Sequence, residues 1–107
     1  MSMFVIPVPV GRPNQTILCS LDGRGYQIEL TWNARIERWF ISLSSSEGTK
    51  LVFGKGLRVG GDVLFTARHL ADVPRGVLTV YEPKELGEEP TLETLGRDHL
   101  LVFFPDE

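Results

Sequence analysis

Two amphipathic stretches lie almost back to back in the first half of the chain, and they leave little choice of fold. Tyr26, Ile28, Leu30 and Trp32 alternate with Gln27, Glu29 and Thr31, and after a polar link Trp39, Ile41 and Leu43 repeat the alternation. Successive strand side chains point to opposite faces, so each stretch is a strand with one dry and one wet side. Two such strands this close in sequence form an antiparallel hairpin. A Trp stands near the turn end of each strand, which sets the two indoles together on the buried face. Aromatic cross-strand pairs add about 0.2–1 kcal/mol over Ala–Ala. Both Trp residues fall on the apolar phase, so core packing is expected of them rather than ligand stacking.

The flanking segments extend the same architecture. Phe4 to Pro9 is apolar and interrupted by Pro7 and Pro9. Proline cannot donate to a ladder, so residues 1–10 read as an edge strand or an extended arm, lying on this domain or on a neighbouring subunit. A turn at Arg12-Pro13-Asn14 leads into a strand, Gln15 to Leu21, with Ile17, Cys19 and Leu21 on one face. Asp22-Gly23-Arg24-Gly25 is a tight-turn signal. Ser44 to Gly48 is a loop and Lys50 to Phe53 a short strand. Gly54, Gly56, Gly60 and Gly61 punctuate the next stretch, with Leu57 and Val59 available for a short pairing. From Asp62 the period changes: Val63, Leu64, Ala67, Leu70 and Ala71 fit one face of a helix with Asp62 as N-cap and Pro74 as its end. Val77 to Tyr81, apolar on both faces, predicts a strand central in its sheet. The acidic segment around Glu82, Glu85, Glu88 and Glu89 predicts a solvated loop. Thr91 to Gly96 predicts one helical turn stopped by Gly96, and His99 to Phe104 a last, apolar strand. Seven short strands in 107 residues describe a mainly β single domain over residues 1–107: a small antiparallel β-sandwich or barrel with one or two short helical segments.

Chemistry is sparse. Cys19, His69 and His99 have no zinc-like spacing, so no metal or other cofactor is expected. Cys19 stands alone on an apolar strand phase, where a thiol is usually inert packing, and it suits a reducing compartment. Ser44, His69 and Asp98 can be composed into a triad only as any chain of this length allows, and no nucleophile elbow is present. The run from Gly54 to Gly61, with Lys55 and Arg58, matches neither the Walker spacing nor the dinucleotide fingerprint and reads as turn chemistry. Arg24, Arg35 and Arg38 near Tyr26, Trp32 and Trp39 suggest an alternative function, a small β-barrel nucleic-acid-binding module. The dry phase of those aromatics and the net charge of −3 argue against it. No apolar run reaches the length of a membrane span, and the start carries no signal-peptide pattern. A binding or assembly part is favoured over an enzyme.

The ordered pattern of single residues carries more. Ile6-Pro7, Gln15, Leu21-x-Gly23, Tyr26, Leu30-x-Trp32-Asn33, Trp39, Leu43 and Gly48 form its first half. Leu57-x-x-Gly60, Leu64, Pro74-x-Gly76-x-Leu78, Pro90-Thr91, Leu95-Gly96, His99 and Leu101 form its second. Over nearly its whole length the chain resembles a family of small phage and prophage proteins, the cyanophage baseplate plug type. The resemblance implies a structural part of a contractile phage, prophage or tailocin tail, made in the bacterial host cytoplasm and built into the virion. It would sit in the central baseplate near the hub and tube, plug or complete that channel, and have no catalytic residues. Its partners would be other baseplate proteins, hub and tube, or further copies of itself. Trp32, Asn33, Trp39 and Gly96 then shape the domain, with Asn33 bonding local backbone in the hairpin turn. Phe4, Ile6 and Pro7 of the arm are expected to contact partners, and exposed strand edges, in the arm or the apolar C-terminal strand, to offer pairing to another chain.

Overall fold

The hairpin of the two Trp strands is the centre of a four-stranded antiparallel sheet. The computed structural model describes residues 3–67, 69–70, 73–85 and 87–105. Among them seven strands run in chain order: β1 Phe4–Ile6, β2 Asn14–Leu21, β3 Arg24–Asn33, β4 Arg38–Ser45, β5 Lys50–Gly56, β6 Gly76–Tyr81 and β7 Leu100–Pro105. The larger sheet has the order β2-β3-β4-β5 and the smaller one β1-β7-β6, every pairing antiparallel. The expected mainly β architecture is therefore present as two sheets. Ile28, Leu30, Trp39, Ile41 and Leu43 from the larger sheet share one buried cluster with Ile6, Leu78, Val80, Leu101 and Phe103 from the smaller. Among the described residues no helix is long and apolar enough to cross a membrane.

Local chemistry sets the registers. Asp22 and Gly23 form the two-residue turn between β2 and β3, with φ of 54° and 78°. Two positive φ values are what a right-twisted hairpin needs, and Gly adopts them at no steric cost. The ladder from Asn14↔Thr31 to Leu21↔Arg24 then runs without a bulge. Pairing of β4 with β5 is less regular and shifts register between Ile41 and Ser44, where Ser42 Oγ accepts the Gly54 N–H at 2.9 Å. The strand expected to end at Phe53 thus continues to Gly56 across a bulge rather than stopping at the first glycine.

Four further expectations are corrected. The helix from Asp62 is a single 3-10 turn, Phe65–Ala67; Ala71 lies outside the described residues. Val63, Leu64 and Ala67 are buried, as the helical pattern required, but by packing of an irregular segment. That segment explains the second correction. β6 is not central: it is the last strand of its sheet, and β7 is central. The 59–64 segment covers its free edge. Gly60 N–H donates to Val80 O at 3.1 Å, Val63 N–H to Leu78 O at 2.8 Å, and Leu78 N–H to Asp62 Oδ1 at 3.3 Å. The cover satisfies the outward hydrogen-bonding groups of β6 as a second neighbouring strand would. Third, β7 has both edges paired and offers none to another chain. Fourth, the acidic segment is not wholly solvated, because Glu82 is buried.

Asp62 is the hinge of this cover, since its Oδ1 also accepts the Leu64 N–H at 3.0 Å. Asp62→Ala strands two partly buried donors and is expected to cost roughly 1–3 kcal/mol in urea unfolding. Asp62→Asn keeps the acceptor and loses less. Equal losses would mean that the carboxylate oxygen is not what holds the edge.

Candidate functional site

Trp32 and Trp39 are direct cross-strand partners, with ring centroids 5.5 Å apart and planes at 62°, an edge-to-face pair. Trp39 is fully buried and Trp32 half-buried. The Trp39 indole N–H donates to Thr91 O at 2.9 Å, which ties the larger sheet to the turn ahead of β7. Asn33 Oδ1 accepts the N–H groups of Arg35 and Ile36 at 3.0 and 3.3 Å and closes the β3–β4 turn. Gly96, with φ +97°, ends the turn that begins at Thr91, and its N–H donates to His99 O at 2.7 Å. The apolar face of the hairpin is therefore sealed.

A polar clasp lies beside it. His99 is buried, with Nδ1 2.9 Å from Thr94 Oγ1 and Nε2 2.6 Å from Glu88 O. Glu82 Oε2 is 3.3 Å from the same Nε2, and Glu82 Oε1 accepts the Gly87 N–H at 2.8 Å. Buried polar groups are tolerated when they are satisfied, and these are. The clasp pins the acidic segment to the smaller sheet, and both side chains are closed off from any substrate. Glu89 fastens the segment further by accepting the Val59 N–H at 3.1 Å. Sequence reasoning missed Glu82 because its partner His99 is distant in the chain.

Other candidate residues do not converge. Cys19 is half-buried on β2, and burial raises its thiol pKa, so little thiolate forms at neutral pH. His69 is exposed, and Asp98 lies 3.8 Å from Arg97. The basic platform loses Arg24, while Arg35 and Arg38 stay at the β3–β4 turn. Arg24 pairs with Leu21 at one end of β3, whereas Arg38 pairs with Asn33 at the other, roughly 30 Å away along the strand. Arg38 instead lines a cleft of about 610 Å³ with Phe40, Lys55 and Arg58, the product of the glycine-rich run folding over β4.

The rest is surface. In the arm, Phe4 and Pro7 are exposed, but Ile6 is 4% exposed and belongs to the protein's own core. Antiparallel pairing of Ile6 with Leu101 turns that side chain inward, so it is removed from the expected partner contacts. Phe53 on β5 is 73% exposed, with Lys50 Nζ 4.4 Å above its ring, and Leu18 on β2 is 78% exposed. Among the described residues the Trp39 core and the Glu82–His99 clasp are closed, and large apolar side chains stand exposed on the edge strands.

No curated protein matches the chain. A family model described as cyanophage baseplate Pam3 plug gp18 matches residues 3–106. That span takes in both sheets, the Trp pair and the clasp, so the chain belongs to the cyanophage baseplate plug family.

Proposed function

We propose that the protein is a structural part of a contractile-type tail baseplate, seated at the hub and tube, where it helps to plug the central channel. Membership of the plug family over nearly the whole chain carries this reading. The interior supports it. The hairpin face packs on Trp39, the Glu82–His99 clasp is satisfied by its own neighbours, and large apolar side chains such as Phe4, Leu18 and Phe53 are exposed on the edge strands. The protein acts without catalysis, in the virion tail, through contacts with other baseplate proteins. It is synthesised in the host cytoplasm before assembly.

The test uses tail particles from the phage, prophage or tailocin that encodes the chain. Wild-type particles are expected to contain it and to show density for a two-sheet domain on the tail axis at the baseplate. Particles made without the gene are expected to lack that density and to have an open channel, or not to assemble. Wild-type particles in which mass spectrometry finds no trace of the chain would overturn the reading.

A further inference from the structure

A sheet edge is a template for another strand unless something blunts it. Three of the four edges here are blunted. β1 is three residues long and runs into Pro7; β5 carries Lys50, Lys55 and a bulge; β6 lies under the 59–64 segment. β2 has none of these devices. Its eight residues, Asn14–Leu21, hold no charge, no proline and no bulge. The direction of its free hydrogen-bonding groups is set by the register. Trp32 N–H donates to Pro13 O at 2.7 Å, continuing the β2–β3 ladder, and bonded pairs alternate in an antiparallel ladder. The odd-numbered residues of β2 therefore face β3. Asn14, Thr16, Leu18 and Ser20 point their N–H and C=O groups away from the sheet.

We propose that two copies of this chain associate in solution by antiparallel pairing of β2 with β2 across a two-fold axis at Leu18. This register sets Leu18 opposite Leu18, Thr16 opposite Ser20 and Ile17 opposite Cys19. These central pairs are uncharged and matched in polarity, as cross-strand stabilisation favours, and only Gln15 opposite Leu21 is mixed. The outward groups of Thr16, Leu18 and Ser20 then exchange about six inter-copy hydrogen bonds. Charge supports a second copy as occupant: β2 carries no charged residue, so pairing it with itself sets no like charges opposite each other. A β5–β5 pairing would instead bring Lys50 and Lys55 of two copies to one seam. The pairing goes beyond the baseplate role and holds for the free protein whatever its place in a particle. It joins two four-stranded sheets into one and hides the bare edge.

Sedimentation of the wild-type chain over a concentration series is expected to show a reversible shift from one-chain to two-chain mass. Leu18→Lys sets like charges directly opposite each other and should weaken association at least about tenfold. Phe53→Lys on the far edge should leave it unchanged. Circular dichroism confirms that both variants are folded, which exposed positions permit. Cross-linking reads the register in a Cys19→Ser background. Hydrogen-bonded pairs have Cα atoms about 5.5 Å apart, within disulfide reach. Leu18→Cys alone should give a covalent dimer on oxidation, and Thr16→Cys alone should not. The proposal is overturned by a wild-type chain that stays monomeric up to about 1 mM. It is overturned equally by a dimer that Leu18→Lys leaves as tight as before, or by cross-linking through Thr16→Cys in place of Leu18→Cys.

Discussion

Trp39→Ala is expected to lower the unfolding free energy by about 3–5 kcal/mol, the usual cost of emptying a buried aromatic site. A domain of this size holds roughly 5–15 kcal/mol in total, so the variant stands near the limit of folding. Three losses coincide. The indole is fully buried, its edge-to-face contact with Trp32 disappears, and the Thr91 carbonyl loses the donor at 2.9 Å. Trp39→Phe separates them. It keeps most of the ring and deletes the N–H, and is expected to cost about 1–2 kcal/mol for the stranded acceptor and the smaller ring. Trp32→Ala, at a half-buried site, should cost less than Trp39→Ala. Urea unfolding followed by far-ultraviolet circular dichroism measures all three without relying on the fluorescence of the residues removed. If Trp32→Ala proves as damaging as Trp39→Ala, the link from Trp39 to Thr91 is not the tie between hairpin and turn.

The same hairpin shows what could be read from residue order. Alternation at period two named the buried faces of β3 and β4, because a strand's inside and outside are decided residue by residue. The 62–71 segment misled because Val63, Leu64 and Ala67 are buried at helical spacing. Period reports burial and not the backbone path that achieves it. Here the path is set by Asp62, whose carboxylate reaches a strand 16 residues away. Glu82 reads as solvated for a related reason: its neighbours in sequence are charged, and the His99 that accounts for its burial arrives only through the β6–β7 pairing. Arg24 and Arg38 looked clustered because sequence distance ignores the length of an extended strand. The rims were least legible. Which edge is covered, and which is bare, depends on strand order, and β7, the most apolar segment, proved to be the central strand of its sheet.

Gly96→Ala should destabilise the protein by roughly 2–5 kcal/mol, combining left-handed backbone strain with overpacking. The φ of +97° is one that a side chain disfavours, and a Cβ built there falls on the carbonyl oxygen of Val8. That obstacle is backbone, so no rotamer change can move it aside. Val8 is itself buried in the core, which fixes the carbonyl from the other side. On the turn side, Gly96 N–H is held by His99 O at 2.7 Å, and the turn begins at Thr91, whose carbonyl Trp39 grips. Relief must therefore lift the arm off the domain or unwind the turn that anchors the hairpin. Gly48→Ala supplies the control. Its φ is +90°, but a Cβ there meets nothing within 4 Å, so only the conformational cost of about 1–2 kcal/mol applies. Subtracting one loss from the other in chemical unfolding isolates the contact between arm and turn. A Gly96→Ala variant no less stable than Gly48→Ala would show that the arm does not press on the turn, and that residues 7–10 are free to leave the domain.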